Sequence, residues 1–177
     1  MNLSKNFLKK DDFKKIESII MGNEFPWYFN EKIIKVNEDD EDFQFTYSFI
    51  LKGKINCNSA MMSILEPVLS KLKYKKINKI KANLLLRDNK IKEHGMHNDQ
   101  NEGMTGILYI NNCNGYTKFE NGKKIKSEKN KYIEFDSTLK HTGSSCTDKQ
   151  RRVVINFNYQ WIYLIIFGIL NLHWHHD

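Results

Sequence analysis

Two residues near the middle of the chain have the types and the spacing of metal ligands. His97 and Asp99 stand two apart in the segment HGMHNDQ, residues 94–100. Side chains two apart on an extended strand point to the same face, so an imidazole and a carboxylate can reach one divalent metal ion together. By itself such a pair is more often part of a polar loop than a metal site.

A second histidine and an arginine follow farther along the chain. His141 lies in LKHTGSSCTD, and two histidines with one carboxylate leave three positions open on an iron ion, as non-haem Fe(II) oxygenases require for cosubstrate and dioxygen. Arg152 stands in a strand-like segment soon afterwards, where a guanidinium can bind a carboxylate through a bidentate pair. Four residues of these types in this order favour a metal centre over a chance polar loop.

The first part of the chain reads as helical. Residues 11–22 have a helical apolar spacing, with Asp11 or Asp12 as the predicted cap and Gly22 as the predicted stop. The aromatic segment FPWYF, residues 25–29, is expected to pack on the core. A second helix is predicted over 58–72, where Pro67 implies a kink or a break.

From about residue 76 the pattern becomes strand-like. Strands are predicted in INKIKANLLL (77–86), in MTGILYIN (104–111), two or three times within 115–135 around Asn-Gly and Lys-Asn turns, and in RRVVINFNYQ (151–160). In the last segment Arg152, Val154 and Asn156 share one face, while Val153, Ile155 and Phe157 share the other. This order predicts a mainly β fold with the N-terminal helices packed outside a sheet-rich core.

Length and composition indicate one folded domain. The chain has 177 residues, of which 40% are hydrophobic and 12% aromatic, enough for a substantial core. We therefore expect a single domain over 1–177, with 1–75 as helical support, 76–160 as the β core and 161–177 as an apolar tail. The net charge of +7 comes largely from lysine clusters at 71–81 and 121–131. These are interpreted as solvated faces, because no aromatic-interleaved RNA motif or recognition helix accompanies them.

Cysteine usage and the chain ends bear on the compartment. The three cysteines form no CxxC pair, and the N-terminus has no apolar signal core, so a reducing cytoplasm is expected, that of a virus-infected host cell included. Cys146 is interpreted as a small packing residue. The apolar run 161–172 is too short for a membrane-spanning helix and favours a buried terminal element, with a membrane or partner contact as the alternative. The terminal cluster of His173, His175 and His176 is interpreted as a frayed tail rather than a second metal site.

Several segments resemble the Fe(II)/2-oxoglutarate-dependent dioxygenases, and within them the prolyl 4-hydroxylase-like branch with its small single-domain viral and microbial members. The resemblance covers about residues 76–160, through HNDQ, ILYINN, GYTKFENG, KYIEFD, HTGSSCTD and RRVVINFNY, with FPWYF resembling a lead-in segment. It implies a double-stranded β-helix (jelly-roll, cupin-like) core. It also implies Fe(II), 2-oxoglutarate and O2 as cofactor and cosubstrates, and raises ascorbate as a further cofactor.

The resemblance assigns roles to particular residues. It makes His97, Asp99 and His141 the iron ligands, gives Arg152 the distal carboxylate of 2-oxoglutarate, and lets the hydroxyl of Tyr109 help to hold that cosubstrate. Arg151 is expected to point the other way along the strand.

The chain also departs from the family's pattern in its pocket. Leu85 stands where relatives often have a tyrosine, and His94 where they often have an aromatic residue, so the pocket is expected to differ. His94 either lines the substrate mouth or is a half-buried polar residue. Asn83 either bonds the cosubstrate or has a structural role in its strand.

The leading prediction is a dioxygenase that hydroxylates a C–H bond on a peptidyl residue such as proline and releases succinate and CO2. Its expected partner is a peptide or protein, while oligomeric state stays open. Two alternatives remain: an oxygenase of the same fold acting on a nucleic-acid base or a small metabolite, and a barrel that binds metal without catalysis. Nucleic acid is possible as a partner but not favoured, and no transmembrane span is expected.

Overall fold

The computed structural model describes residues 1–33 and 42–161. Within these residues the elements run in the following order: β1 (Asn2–Ser4), α1 (Lys10–Ile20), β2 (Tyr28–Asn30), β3 (Gln44–Leu51), β4 (Lys54–Ile55), α2 (Ser59–Ser63), α3 (Glu66–Leu69), β5 (Tyr74–Leu86), β6 (Met104–Tyr109), β7 (Tyr116–Phe119), β8 (Lys124–Lys126), β9 (Lys131–Asp136), β10 (His141–Gly143) and β11 (Arg151–Trp161). The apolar tail beyond Trp161 and the terminal histidine cluster lie outside the described residues. In the described part of the chain, no helix is long and apolar enough to cross a membrane.

Two antiparallel sheets form a jelly-roll. The larger sheet has eight strands in the order β1-β9-β6-β11-β5-β3-β2, with β4 paired to β3. The smaller sheet has the order β10-β7-β8. Neighbours in the larger sheet are distant in sequence, since β11 lies between β5 and β6 and pairs with both. This topology confirms the predicted mainly β fold with a double-stranded β-helix core.

The helices cover the outer face of the larger sheet. The apolar side of α1 is buried through Phe13, Ile16 and Ile20, as its helical spacing predicts. These side chains and those of α3 pack with the outward-facing apolar residues of the central strands, which include Phe49, Ile80, Leu108, Val153, Ile155 and Phe157. The outer core therefore holds the larger sheet rigid from one side.

A smaller core lies between the two sheets. It consists of residues from the inner faces of β6, β9 and β11 and from the small sheet: Ile107, Tyr109, Phe119, Ile125, Ile133, Phe135 and Val154. The alternation predicted for β11 is confirmed, because Val153 and Ile155 belong to the outer core while Val154 belongs to the inner one. Side chains of the same inner face also line a cavity between the sheets.

The N-terminal part differs from the expected helical support. Residues 1–75 contribute β1 to β4 to the larger sheet in addition to three helices. The strand β3 is largely buried, although its polar residues Gln44, Thr46 and Ser48 alternate with the aromatic residues at 45, 47 and 49. Tyr28 and Phe29, expected on the core, are 63% and 58% exposed because β2 is an edge strand whose side chains have no covering layer among the described residues.

The helix boundaries also correct two expectations. Lys9 occupies the cap position of α1 without a side-chain cap bond, and Asp11 and Asp12 lie in the first turn, where a negative charge favours the helix dipole. The predicted helix over 58–72 is two short helices. Pro67 stands at the start of the second, where its missing N–H breaks no helical bond, so the predicted break is confirmed.

Candidate active site

His97, Asp99 and His141 come together at one end of the cavity. One ligand atom from each lies within 4.8 Å of the other two, and Nε2 of His141 is 3.6 Å from Oδ2 of Asp99. Atoms that share one metal ion at about 2 Å each lie up to about 4 Å apart. Small side-chain rotations are therefore enough to bring the three groups onto one ion.

Two backbone hydrogen bonds hold the histidines side by side. His97 N donates to His141 O at 3.0 Å, and His141 N donates to His97 O at 2.8 Å. The segment that carries His97 and Asp99 is not a regular strand as expected, but an irregular stretch joined to β10 and its surroundings by isolated bridges. These bridges replace a continuous strand in positioning the pair.

The other ring nitrogen of each histidine has a backbone partner. Nδ1 of His97 lies 3.2 Å from Gly95 O, and Nδ1 of His141 lies 3.0 Å from Leu139 O. A carbonyl can only accept, so each Nδ1 carries the proton in these bonds and Nε2 keeps its lone pair. This is the tautomer that a metal requires, and the carbonyls fix the orientation of the rings.

Asp99 is held as a carboxylate despite its burial. Burial acts to raise its pKa, but attraction by Lys79 and His141 and hydrogen bonds from Asn158 and Thr105 lower the pKa below the ordinary value. Lys79 Nζ lies 3.5 Å from Oδ1, and Thr105 Oγ1 donates to Oδ2 at 2.9 Å. The group is thus available as an anionic ligand at neutral pH.

Burial also changes the pKa of His141. Desolvation lowers the pKa of this imidazole below its ordinary value, while the carbonyl of Leu139 and the charge of Asp99 oppose the shift. The side chain is only 3% exposed. His141 is therefore neutral at pH 7, the form in which imidazole binds a metal.

Arg152 lies deep in the same cavity and is 3% exposed. Its Nη2 donates to Thr117 Oγ1 at 3.2 Å, and within the described residues its buried Nε has no hydrogen-bond partner. Two glycines make room for it, since a Cβ on Gly115 would lie 2.7 Å from Arg152 Cδ and a Cβ on Gly143 would lie 3.3 Å from Nη1. A buried cation with an unused donor is suited to receive a carboxylate from a ligand.

Tyr109 lies behind Arg152 rather than in the cavity wall. The centre of the guanidinium is 5.8 Å from the centroid of the Tyr109 ring, and the Tyr109 hydroxyl donates to Thr117 Oγ1 at 2.8 Å. Complete burial raises the pKa of Tyr109 to about 12, so the hydroxyl stays protonated. Thr117 itself lines the cavity and links the tyrosine to it.

Other residues singled out in the sequence occupy the same cavity. Asn83, Leu85 and His94 line it together with the three ligand residues and Arg152. Arg151 points away, as expected, and its Nη2 donates to Met21 O at 2.6 Å, beside the C-terminal end of α1.

His94 is fixed by an acidic partner. Its Nδ1 lies 3.0 Å from Oδ2 of Asp42, whose other oxygen pairs with Lys92, and the His94 side chain is only 6% exposed. His94 therefore lies in the cavity wall, and its side chain is more buried than the half-buried polar residue that was the alternative. Burial lowers the pKa of His94, against the attraction of Asp42.

Several polar residues of the cavity were not predicted as site residues, among them two lysines and an asparagine. Lys79 and Lys81 lie on the inner side of β5, and Asn156 lies opposite Lys81 on β11. The interpretation of the 71–81 cluster as a solvated face is therefore wrong for Lys79 and Lys81. The available signal is the alternation KIKAN, which places Lys79, Lys81 and Asn83 on one side of a strand.

Cys146 is buried, as its interpretation as a packing residue implies, and it lies close to Cys113 and Asp148. Burial and the neighbouring Cys113 raise the pKa of Cys146 to about 11, which keeps the thiol protonated. This protonation state fits packing better than nucleophilic chemistry.

Solved structures with the same fold are known. The chain resembles a 2OG-Fe(II) oxygenase family oxidoreductase from Burkholderia pseudomallei (TM-score 0.67, 11% identity, 89% of this chain and 82% of the other). It also resembles a prolyl hydroxylase from Trichoplax adhaerens solved with a peptide fragment of hypoxia inducible factor (TM-score 0.58, 14% identity, 90% and 82%). A third is a prolyl-4-hydroxylase from Pseudomonas putida (TM-score 0.54, 11% identity, 90% and 91%).

At these identities the likeness concerns the fold. No protein-family model and no curated protein sequence matches the chain. Function must therefore be argued from the residues of the site.

Proposed function

We propose that this chain is an Fe(II)- and 2-oxoglutarate-dependent dioxygenase that hydroxylates a C–H bond on a peptidyl residue such as proline and releases succinate and CO2. The observation that carries the proposal is the convergence of His97, Asp99 and His141 at one end of a cavity that holds the buried Arg152. A metal site alone would leave the unpaired guanidinium unexplained. A cosubstrate that bears carboxylates explains both the metal ligands and the buried guanidinium in one cavity.

The donor set suits the proposed metal. Two imidazoles with free Nε2 atoms and one carboxylate occupy one side of an ion and leave the opposite side open, as non-haem Fe(II) oxygenases require. When bound, the iron and 2-oxoglutarate supply the oxidising chemistry, and the protein contributes binding, orientation and exclusion of water. Lys79 lies nearest Oδ1 of Asp99 and His141 nearest Oδ2, so the carboxylate can hold the lysine and a metal ion on different oxygens.

The remaining side chains hold and orient the cosubstrate in this proposal. Arg152 takes the distal carboxylate in a bidentate pair, while Thr117 keeps the guanidinium aimed along the cavity. Tyr109 remains predicted to help hold the cosubstrate. From its place behind Arg152 it acts through the hydrogen bond that its hydroxyl donates to Thr117 Oγ1. The cavity of about 280 Å³ leaves space for a small part of a second substrate beside a molecule of this size.

The peptidyl substrate rests on the structural neighbours. Two of them are prolyl hydroxylases, and one of these was solved with a peptide. Ascorbate stays a prediction from the resemblance, and it is tested by adding it to the turnover assay below.

The first test is an anaerobic titration of the metal-free protein with Fe(II) and then 2-oxoglutarate, followed by the visible charge-transfer band of the ternary complex. We expect the band in the parent protein and in Lys140→Ala, which alters the exposed neighbour of a ligand. His141→Ala should abolish it. A folded parent protein without the band would refute the dioxygenase proposal and favour a metal-binding barrel without catalysis.

The second test addresses the substrate. Succinate formation is measured under oxygen with proline-containing peptides, with the same peptides carrying alanine in place of proline, and with single-stranded oligonucleotides. Stimulation by the prolyl peptides alone, with a mass increase of one oxygen atom, is the expected result. Stimulation by the oligonucleotides alone would replace the peptidyl substrate with a nucleic-acid base.

A further inference from the structure

The inner face of β5 places lysines in the cavity beside the metal ligands. Lys79 and Lys81 both line it, whereas Lys75 on the same strand is exposed. In the larger sheet Lys81 is paired with Asn156, whose buried Oδ1 has no hydrogen-bond partner among the described residues. The ammonium-bearing side chain of Lys81 and the unpartnered amide oxygen of Asn156 therefore lie on neighbouring strands of the cavity wall.

The two lysines differ in their surroundings. Lys79 pairs with Oδ1 of Asp99 and is 30% exposed, so the carboxylate and water both stabilise its charge. Lys81 is half-buried, and within residues 1–33 and 42–161 its ammonium has neither a hydrogen bond nor an ion pair. Desolvation and repulsion by Lys79 lower the pKa of Lys81 to about 8, against the attraction of Asp99, which still leaves it mainly protonated at pH 7.

A sum of formal charges shows that the proposed iron and cosubstrate do not neutralise Lys81. The two positive charges of Fe(II) and the one of Arg152 balance the single charge of Asp99 and the two carboxylates of 2-oxoglutarate. Lys81 then remains a positive charge on the cavity wall without a counter-ion among these groups, so an anionic ligand is favoured beside it.

We propose that Lys81, which lies on the cavity wall opposite Asn156, binds a carboxylate of the primary substrate, so that the hydroxylated residue lies next to an acidic group. This inference rests on the proposed function, since the charge sum assumes Fe(II) and 2-oxoglutarate in the cavity. One buried ammonium matches the single charge of a carboxylate better than a phosphate dianion. For a peptide, the acidic group is an Asp or Glu side chain beside the target residue.

The test compares two probes that differ only in charge, N-acetylglutamate α-amide and N-acetylglutamine α-amide. Each is titrated into the anaerobic Fe(II)–2-oxoglutarate protein, and binding is followed by the change in the charge-transfer band. Melting temperatures of the Zn(II)–2-oxoglutarate protein with each probe give a second readout that does not depend on iron chemistry. The proteins compared are the parent, Lys81→Met and the matched control Lys75→Met.

We expect the parent and Lys75→Met to bind the glutamate probe about tenfold or more tightly than the glutamine probe, as for a charge-assisted hydrogen bond in a buried site. In Lys81→Met the ratio should fall to within about twofold, with the affinity for 2-oxoglutarate unchanged. Met has a similar length without the charge, so loss of the fold is not expected.

Three outcomes would overturn the inference. Equal binding of the two probes by the parent would show that the cavity does not select a carboxylate. A similar loss of 2-oxoglutarate affinity in Lys81→Met would assign the lysine to the cosubstrate instead. Tighter binding of inorganic phosphate than of the glutamate probe would point to a phosphate-bearing substrate.

Different observations would show that the proposed function itself is wrong. In that case the parent protein gives no charge-transfer band and 2-oxoglutarate does not raise its melting temperature. The ratio of the two probes measured by melting of the Zn(II) protein still decides whether Lys81 selects a carboxylate.

Discussion

Replacing Arg152 by methionine should make the ligand-free protein more stable and at the same time strongly weaken its binding of 2-oxoglutarate. Arg152 is almost completely buried, its Nε is unpartnered among the described residues, and its Nη2 bonds to the neutral hydroxyl of Thr117. Burial accordingly lowers the pKa of the Arg152 guanidinium. Such a group is retained at a cost to folding, and that cost disappears when a hydrophobic side chain of similar length takes its place.

The expected magnitudes follow from the loss of one buried charge. Replacement of buried ionic groups by hydrophobic ones stabilises proteins by about 1–4 kcal/mol, and we take about 2 kcal/mol, because methionine leaves part of the volume unfilled. In a chain of this length that raises the melting temperature by about 4–8 °C. A bidentate charge-assisted pair contributes about 3 kcal/mol to binding, so the affinity for 2-oxoglutarate should fall roughly 100-fold.

The assay combines melting curves with the anaerobic Fe(II) titration. Without 2-oxoglutarate, Arg152→Met should melt above the parent. At a concentration 100 times the parent's Kd, the cosubstrate stabilises the parent by about 2.7 kcal/mol and the variant by well under half of that. The difference between the two melting temperatures should therefore become smaller or change sign.

Arg151→Met is the matched control, because it removes the same charge from the neighbouring residue on the opposite face. It loses the bond to Met21 O, costs stability by about 1 kcal/mol, and should leave the 2-oxoglutarate affinity within about twofold of the parent. The reasoning is refuted if Arg152→Met binds 2-oxoglutarate within about threefold of the parent. A ligand-free Arg152→Met that melts well below the parent would show that the buried guanidinium stabilises the fold.

Three smaller predictions concern the metal end and the cosubstrate end of the cavity. Thr105→Val removes the hydrogen bond to Oδ2 of Asp99 and should weaken Zn(II) binding about 10–100-fold in a chelator competition, and an unchanged affinity would contradict that role. Because burial lowers the pKa of His141, its imidazole in the metal-free protein stays neutral as the pH falls through the ordinary value of 6.5, and an NMR titration of this ring should give a midpoint below 6.5. A midpoint for His141 at or above pH 6.5 would contradict this direction of shift. Gly115→Ala places a methyl group 2.7 Å from Cδ of Arg152 and from a backbone oxygen, so it should weaken 2-oxoglutarate binding about tenfold while Zn(II) affinity is kept. Equal losses at both ends would instead indicate general damage to the fold.

The strand that carries Arg152 could be predicted well from sequence. In β11, apolar residues at alternate positions are required by the outer core, and this leaves Arg152, Val154 and Asn156 for the inner face. The candidate ligands could be predicted only as a set, since a histidine and an aspartate at this spacing are by themselves more often part of a polar loop, and His141 and Arg152 farther along the chain favour a metal centre. Their convergence could not be read from local pattern alone, because it depends on bridges between His97 and His141 that join distant parts of the chain.

The strand β3 was not predicted, although its sequence carries a signal. In QFTYSFIL the polar residues Gln44, Thr46 and Ser48 alternate with the aromatic residues at 45, 47 and 49, which is the pattern of a strand with two different faces. The inward lysines of β5 were missed for a different reason. The alternation KIKAN puts Lys79, Lys81 and Asn83 on one side of a strand, but only the pairing of β5 between β3 and β11 shows that this side faces a cavity.

The positions of the charges in the cavity link these observations. Asp99 is the carboxylate among the described lining residues, and it lies at the metal end beside Lys79, while Arg152 lies at the other end and Lys81 between them. If the cavity served only to hold a structural metal, an unpaired lysine and an unpaired arginine on the same wall would destabilise the fold without any return. If it binds two anionic molecules next to a metal ion, each buried cation gains a partner at the moment of binding. The same residues then explain why the empty cavity is electrostatically unfavourable and why the proposed ligands are anions.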